Sequence, residues 1–359
     1  MQRYDVLVVG AGPAGSTTAL RLARAGASVL LVDRARFPRD KPCGGGLTLR
    51  AVARCPVDPA PVVEERVREF AVAFRYGEPV RRPTTRPVVL MTQRRRLDAL
   101  LLDAAREAGV EVWEGETVRV EPGSRLVRAR GAPLPVDAVV GADGANGTTA
   151  RALGLGNGIL RGVAYEGNVP YRALGAGFRG RAFLELGAIP GGYGWVFPKA
   201  DHVNVGVGAW ASEGPRLKAH LRRVCAARGI PYEAIEGARG HPLPLRRRGT
   251  LVAGERSLLV GDAAGLVDPV SGDGLYECFV SSELAAASIL DLLAGRASSL
   301  EPYAAALARA LGRLNAESWA IKTALDRWPR ATWRLARSRV AWRAAERLLA
   351  GERRSLTAR

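Results

Sequence analysis

Gly10-Ala-Gly12-Pro-Ala14-Gly15 follows directly on the apolar run Tyr4–Val9, and an acid, Asp33, closes a second apolar run, Ser28–Val32. This spacing suits a dinucleotide cradle. Gly10 permits a tight turn, Gly12 lets backbone approach a pyrophosphate, and Gly15 lets a helix pack closely on the strand. Pro13 suits the first helical position, where its missing N–H costs nothing. The free amides and positive dipole of that helix end, around Ala14, then meet the phosphates. Asp33 comes 18 residues after Gly15, close to the spacing of roughly 20 for an acid that holds an adenosine ribose.

Two later segments extend the theme. Val136–Val140 runs into Gly141-Ala-Asp143-Gly144. Leu258–Val260 runs into Gly261-Asp262-Ala-Ala-Gly265, with Asp268-Pro269 and Gly272-Asp273-Gly274 beyond. Amides and a carboxylate at the carboxyl edge of a parallel sheet lie where ligands bind in doubly wound folds. Asp262 can accept hydrogen bonds from a hydroxyl chain. Gly272–Gly274 opens a helix whose amides can stabilise negative charge on a bound ring. Each segment alone also reads as a strand–helix turn with a capping aspartate; their joint occurrence in this order points to a nucleotide site.

The elements that must position these residues follow from periodicity. Strands and helices alternate in 1–50, 95–150 and 250–295. Tyr4–Val9 reads as a buried parallel strand, Leu97–Ala108 as a helix with a leucine and alanine stripe, and Leu275–Leu293 as a long apolar helix. Short strands are read at Val110–Trp113, Arg119–Glu121, Leu126–Ala129 and Val136–Val140. Glycine-punctuated strands fill 60–92 and 155–245, among them Val67–Phe74, Arg86–Met91, Ala182–Leu186, Gly194–Phe197 and Val203–Ala209. Pro215–Arg228 and 301–350 read as helical, the latter broken near Pro329. Trp333, Ala336, Val340, Ala344 and Leu348 are expected on one helical face. The expected fold is α/β. A discontinuous Rossmann-like domain (1–60, 93–155, 248–298) carries an inserted antiparallel β-sheet substrate domain (61–92, 156–247), and a C-terminal helical region (299–359) follows.

Composition bounds the remaining possibilities. The net charge is +18, yet only Lys41, Lys199, Lys218 and Lys322 are lysines, so arginine carries the excess. Arginine with alanine richness is the pattern of GC-rich coding. Attraction to anionic lipid headgroups is the functional alternative. No nucleic-acid motif accompanies the charge, and no such partner is expected. Cys43, Cys55, Cys225 and Cys278 fit no metal-ligand spacing. The first strand starts almost at once, which leaves no room for a leader, and no apolar run reaches the roughly 18 residues of a membrane span. A cytoplasmic protein is expected, with peripheral contact at the inner face of the cell membrane as an option. The oligomeric state is not legible.

The glycine fingerprint, Gly141-Ala-Asp143-Gly144 and Gly261-Asp262 together resemble the FAD-binding elements of the flavoprotein hydroxylase superfamily, over most of residues 1–295. The resemblance implies that Asp33 and Arg34 contact the adenosine part and that Asp262 holds the ribityl or ribose–pyrophosphate region. It also places Gly272 and Gly274 near the flavin pyrimidine and counts Pro269 among the cofactor-binding residues. Arg94, four residues before Asp98, corresponds to the arginine of the superfamily's R-x-x-F-D helix entry, with Leu97 in place of phenylalanine. Two further boxes narrow the family. Phe37-Pro-Arg-Asp-Lys-Pro-Cys43-Gly44-Gly45-Gly46 is similar to the KPCGGG-type loop of geranylgeranyl reductases. Pro190-Gly-Gly-Tyr193-Gly-Trp195-Val-Phe197-Pro198 matches their P-x-x-Y-x-W-x-F-P box.

Such enzymes use reduced FAD to saturate double bonds in prenyl chains, so the resemblance implies FAD, with NADPH or reduced ferredoxin as electron donor. The implied substrate is a prenyl lipid, a prenylated quinone or a prenylated tetrapyrrole. A nearly unpolarised alkene needs a hydride on one carbon and a proton on the other, so the protein must position it and exclude water. Tyr193, Trp195 and Phe197 alternate on a strand and face one side. They form an aromatic wall suited to an isoprenoid and to a transient cationic carbon. Cys43, in the loop expected to fold towards the flavin ring, either donates a proton or shapes the pocket; as a small apolar residue it also fits a structural role. His202, His220 and His241 form no recognisable catalytic arrangement. The alternatives are an FAD monooxygenase (hydroxylase or epoxidase) of an aromatic or isoprenoid compound, a flavin halogenase, or a basic binding protein in which FAD is structural.

Overall fold

The computed structural model of the chain describes residues 3–120, 126–129, 132–175 and 177–351. The Glu121 end of the expected strand Arg119–Glu121, and residues 352–359 of the expected helical region, lie outside the described residues.

The N-terminal run of apolar, β-branched residues forms the strand Tyr4–Val9, which pairs in parallel with Val29–Asp33 on one side and Ala132–Gly141 on the other. Glu111–Glu114 extends this sheet in parallel beyond Val29–Asp33. Ser257–Leu259 pairs in parallel with the last residues of Ala132–Gly141. The strands Leu126–Ala129 and Val118–Val120 add an antiparallel edge. The parallel strands all end on one side, so the turns after Val9, Asp33, Gly141 and Leu259 share one rim. The helices Pro13–Arg24, Arg94–Glu107 and Leu275–Leu293 bury Leu20, Leu101 and Phe279 against Val6, Val8 and Leu31 of the sheet. Pro13 occupies the first turn of its helix, as its fixed φ predicts.

A second sheet runs in the order Glu236–Leu245, Leu160–Pro170, His202–Trp210, Tyr193–Pro198, Arg181–Leu186, Glu69–Phe74 and Val80–Pro83. Every pair is antiparallel except Arg181–Leu186 with Glu69–Phe74, which is parallel. The helix Leu217–Arg228 covers its back, packing Leu221 and Val224 onto Val196, Val205 and Val207. That helix ends at Gly229, whose φ of +65° places it in the left-handed region, the usual glycine stop. The expected Pro215 start instead lies in a short 3-10 turn over Ala211–Arg216.

Two expectations need correction. The segment expected as one strand over Val67–Phe74 divides at Arg68. Glu65–Val67 and Val89–Met91 join Gly46–Thr48 in a separate three-stranded sheet, tying the glycine loop to the inserted segment. The expected single stripe at the C-terminus is also split. Helices Pro302–Arg327 and Pro329–Ala336 are followed by a new helix, Arg339–Leu349, whose start is capped by Ser338 Oγ accepting the Ala341 N–H at 3.1 Å. Trp333 and Leu348 turn inwards, whereas Val340 is 78% exposed.

Candidate functional site

A large cavity of about 2330 Å³ runs from the rim of the parallel sheet, across the front face of the second sheet, to the C-terminal helices. That exceeds the roughly 300–1,000 Å³ of a pocket for one small ligand and leaves room for a dinucleotide and a second molecule. Gly12, Ala14, Asp33, Arg34, Cys43, Gly44 and Gly45 line it. So do Arg94, Asp143, Gly144, Gly261, Asp262, Pro269, Gly272, Gly274, Tyr193, Trp195 and Phe197. Gly10 and Gly15 stand behind the wall: a Cβ on Gly10 would lie 2.5 Å from Ala142 O, and one on Gly15 would collide with Gly10 O. Their absent side chains let strand, helix and neighbouring strand close up.

The rim end is built for a nucleotide. Asp33 accepts the Ala11 N–H at 2.7 Å and the Ala35 N–H at 2.8 Å, which fixes the glycine turn. Asp143 Oδ2 accepts the amides of Thr148 and Thr149 and the Thr149 hydroxyl at 2.8–2.9 Å, capping the short helix Thr149–Ala152. Its Oδ1 is buried without a partner, as is Asp273 Oδ2. Such orphaned acceptors on a cavity wall cost free energy unless a ligand donates to them. Gly144 leaves open space where a Cβ would stand, and a Cβ on Gly12 would meet nothing nearer than Arg39 Nη2 at 3.4 Å. These features fit FAD laid along the rim.

Charge is concentrated between the rim and the second sheet. Arg94 is clamped by Asp98 through two bonds of 2.6 and 2.9 Å, and Arg39 approaches the same carboxylate at 3.2 Å. Burial alone would lower Arg94, but Asp98's charge and hydrogen bonds outweigh it and hold the guanidinium raised. Asp262 meets Lys41 Nζ at 3.1 Å. Burial opposes its charge, yet Lys41 and Arg94 bring its carboxyl below the usual range. His241 lines the wall beside them; burial and the neighbouring cations Lys41 and Arg94 push it down to about 4, so it is neutral at neutral pH.

The second sheet supplies the floor. Tyr193, Trp195 and Phe197 do share a face: ring centroids lie 5.8 Å apart between the first two and 6.2 Å between the last two. Tyr193 donates its hydroxyl to Ser271 O, and burial raises its pKa. The Trp195 Nε1–H donates to Asn204 Oδ1 at 2.7 Å. The Cys43–Gly45 loop lies on this wall. A Cβ on Gly44 would stand 2.9 Å from the Phe197 ring, and Gly45 has a φ of +70°. Cys43 Sγ accepts the Gly45 N–H at 3.4 Å.

Sequence reading missed Glu166 and Lys199, and did not place His241 here. Lys199 Nζ is buried and donates to Gly44 O at 2.5 Å and Thr92 O at 2.9 Å, pinning the loop to the sheet. Burial lowers its pKa to about 8. Glu166 is buried in the floor, and burial raises its carboxyl to about 7 despite Lys199 nearby. Cys225 sits away from this chemistry, whereas Cys278 lines the cavity near Asp262 and Arg94; burial raises Cys225 to about 12 and Cys278 well above the usual thiol value, which makes both inert.

A rim of this kind with a second chamber beyond it suits an FAD-dependent oxidoreductase, and comparison with known proteins shows that class. An FAD binding domain family matches residues 3–169. The chain is 35% identical over 321 residues to a chloroplastic geranylgeranyl diphosphate reductase of Oryza sativa subsp. japonica, covering 80% of this chain and 67% of that one. It is 34% identical over 313 residues to a menaquinone reductase of Mycolicibacterium smegmatis, covering 79% and 76%. A geranylgeranyl bacteriochlorophyll reductase-like protein of Thermoplasma acidophilum superposes with a TM-score of 0.78 at 24% identity, covering 91% of this chain and 88% of that one. The chain belongs to the geranylgeranyl reductase family, within the FAD-dependent flavoprotein hydroxylase-like superfamily. A flavin-dependent brominase shares the fold at a TM-score of 0.76 and 18% identity. No helix among the described residues is long and apolar enough to cross a membrane.

Proposed function

We propose that this chain saturates carbon–carbon double bonds of a prenyl-chain substrate, a lipid, a quinone side chain or a tetrapyrrole ester. The observation that carries the reading is the shape of the cavity. Its polar rim continues into a chamber floored by Tyr193, Trp195 and Phe197 and roofed by apolar residues of the C-terminal helices, among them Ile321, Leu325 and Trp333. A long apolar chain fits there, and a small polar aromatic would leave most of it empty. The relatives named as geranylgeranyl diphosphate and menaquinone reductases act on molecules of that kind by name.

FAD would be held by Gly12, Ala14, Asp33 and Arg34 at its adenosine and pyrophosphate, by Asp143 and Asp262 along its middle, and by Gly272–Gly274 at its ring. When reduced, it supplies a hydride. The chain's own residues do the rest. The Cys43–Gly45 loop, pinned by Lys199, closes the ring side of the chamber. The aromatic floor excludes water and lays the alkene flat, and the Trp195 face stabilises positive charge developing on carbon. NADPH or a reduced ferredoxin is the proposed electron donor. Entry of a lipid from a membrane surface fits the exposed Trp328 and Leu335, 58% and 72% accessible, on the arginine-rich helices that roof the chamber.

The test is direct. The FAD-loaded protein is reduced without oxygen, geranylgeranyl diphosphate is added, and product mass is read. A gain of two hydrogens per bond supports the proposal. An oxygen-dependent gain of one oxygen would replace it with a monooxygenase.

A further inference from the structure

We infer that the Glu166 carboxyl is the acid that delivers the proton to the substrate double bond. The inference rests on the reading of the chain as an alkene reductase and names the proton source that reading leaves open. Glu166 belongs to the strand Leu160–Pro170, on the face where Gly162 and Ala164 also line the chamber. Its cross-strand neighbour is Gly206, and the neighbour of Gly206 on the other side is Trp195. Gly206 has no side chain, so the two flanking residues fold over it. A Cβ there would collide with the indole and stand 2.7 Å from Glu166 Cβ. Acid and indole thus meet on one row of the floor, with no backbone between them and the chamber.

The surroundings suit a carboxyl that holds a proton and can lose it. Burial favours the neutral acid up to about pH 7. The Cys43 backbone and the Asn204 side chain face Glu166 and favour its carboxylate, opposing burial. Asn204 accepts the Trp195 N–H at 2.7 Å, so one side chain faces both the acid and the aromatic wall. The charged and titratable groups facing Glu166 are Lys199 after the aromatic strand, Arg239 on the adjoining strand and Tyr193. Lys199 and Arg239 favour the carboxylate left after transfer. Arg239 also pairs with the exposed Asp40, which brings the row to solvent for reprotonation.

The step balances. The π pair of the alkene forms a C–H bond to the carboxyl proton. The O–H bond breaks and its pair stays on Glu166 as carboxylate. The more substituted carbon, positive beside the Trp195 face, accepts the hydride. The alkene is reduced by two electrons and the hydride donor oxidised by two.

Glu166→Gln removes the proton and keeps the shape. With FAD loaded and reduced anaerobically, the wild-type protein is expected to add two hydrogens to geranylgeranyl diphosphate, and Glu166→Gln to do so about 10²–10⁴-fold more slowly. Glu166→Asp is expected to fall between. The wild-type rate should decline as pH rises through about 7, and Glu166→Gln should lack that limb. A readout without turnover accompanies it. In the FAD-free protein, thermal stability should fall as pH rises from 4.5 to 7 by an increment that Glu166→Gln abolishes, while FAD uptake stays at the wild-type level. Glu166→Gln retaining the rate within threefold, or retaining the limb near pH 7, overturns the inference. A wild-type protein that yields no hydrogenated product overturns instead the reductase reading on which it stands.

Discussion

Gly12 has no reason within the protein itself to be glycine. Its φ of −70° and ψ of −178° suit any residue. A Cβ there would meet nothing nearer than Arg39 Nη2 at 3.4 Å. Gly12→Ala should therefore leave the FAD-free protein within about 0.5 kcal/mol of wild type. Two small terms oppose each other: a stiffer unfolded chain favours alanine by about 0.4–1 kcal/mol, and poorer capping of the following helix disfavours it by about 0.5–1 kcal/mol. FAD meets the same methyl differently. If the pyrophosphate rests on this amide, the methyl takes the space of a phosphate oxygen. Overfilling a packed contact costs about 1–3 kcal/mol, which is about a 5- to 150-fold rise in Kd. Gly15→Ala is the contrast: its Cβ would collide with Gly10 O, so it should lose the fold and not the ligand alone. Thermal unfolding without FAD and a fluorescence titration with FAD separate the two effects. Gly12→Ala binding FAD with the wild-type Kd would remove the pyrophosphate from this turn and refute the reasoning.

Gly44→Ala drives a methyl to 2.9 Å from the Phe197 ring and should destabilise by about 1–3 kcal/mol. Adding Phe197→Leu should recover part of that in a double-mutant cycle, and strict additivity would show that the two do not touch. Asp98→Ala leaves the buried Arg94 guanidinium, 7% exposed, without its carboxylate. Urea unfolding should show a loss of about 3–5 kcal/mol, and a loss under 1 would mean that water replaces the partner. Glu277 is raised from 4.5 to about 8, first by burial and then by Asp273. The folded protein keeps a proton in that window that the unfolded chain releases, so stability should fall as pH rises from 4.5 to 8 and level off above. Glu277→Gln should reduce that slope in thermal melts, leaving the part below about pH 7 that belongs to Glu166; an unchanged slope assigns it to another group.

The nucleotide rim was legible because each part is local. Strand, turn, helix and acid lie within Tyr4–Asp33, and the helix expected at Leu275–Leu293 has those bounds in the structure. The helix break at Ser338 is a local cap that the periodicity overlooked, whereas the strand correction and the missed residues are non-local. Val89–Met91 left the large sheet because its partners are Gly46–Thr48, far back in the chain. Lys199 acts on Gly44, 155 residues away. Glu166 reaches Trp195 only because His202–Trp210, which comes later than both, lies between their strands. One signal was available at Glu166. Gly162, Ala164 and Glu166 share one parity of a strand, and a lone acid among small residues on one face marks a floor that something else must cover.

The two boxes that set this chain apart from other FAD proteins form one piece of structure. Gly44 can lie against Phe197 and within reach of Trp195 only without a side chain. Lys199, next after the second box, reaches back to Gly44 O. The glycine loop is therefore shaped by the aromatic wall, and a shift of Phe197 must move Gly44. Cys43 stands at the joint. Its sulfur accepts the Gly45 N–H at 3.4 Å and its backbone faces Glu166. On this geometry Cys43 holds the turn, and under the inference above the proton would fall to Glu166 and not to this thiol.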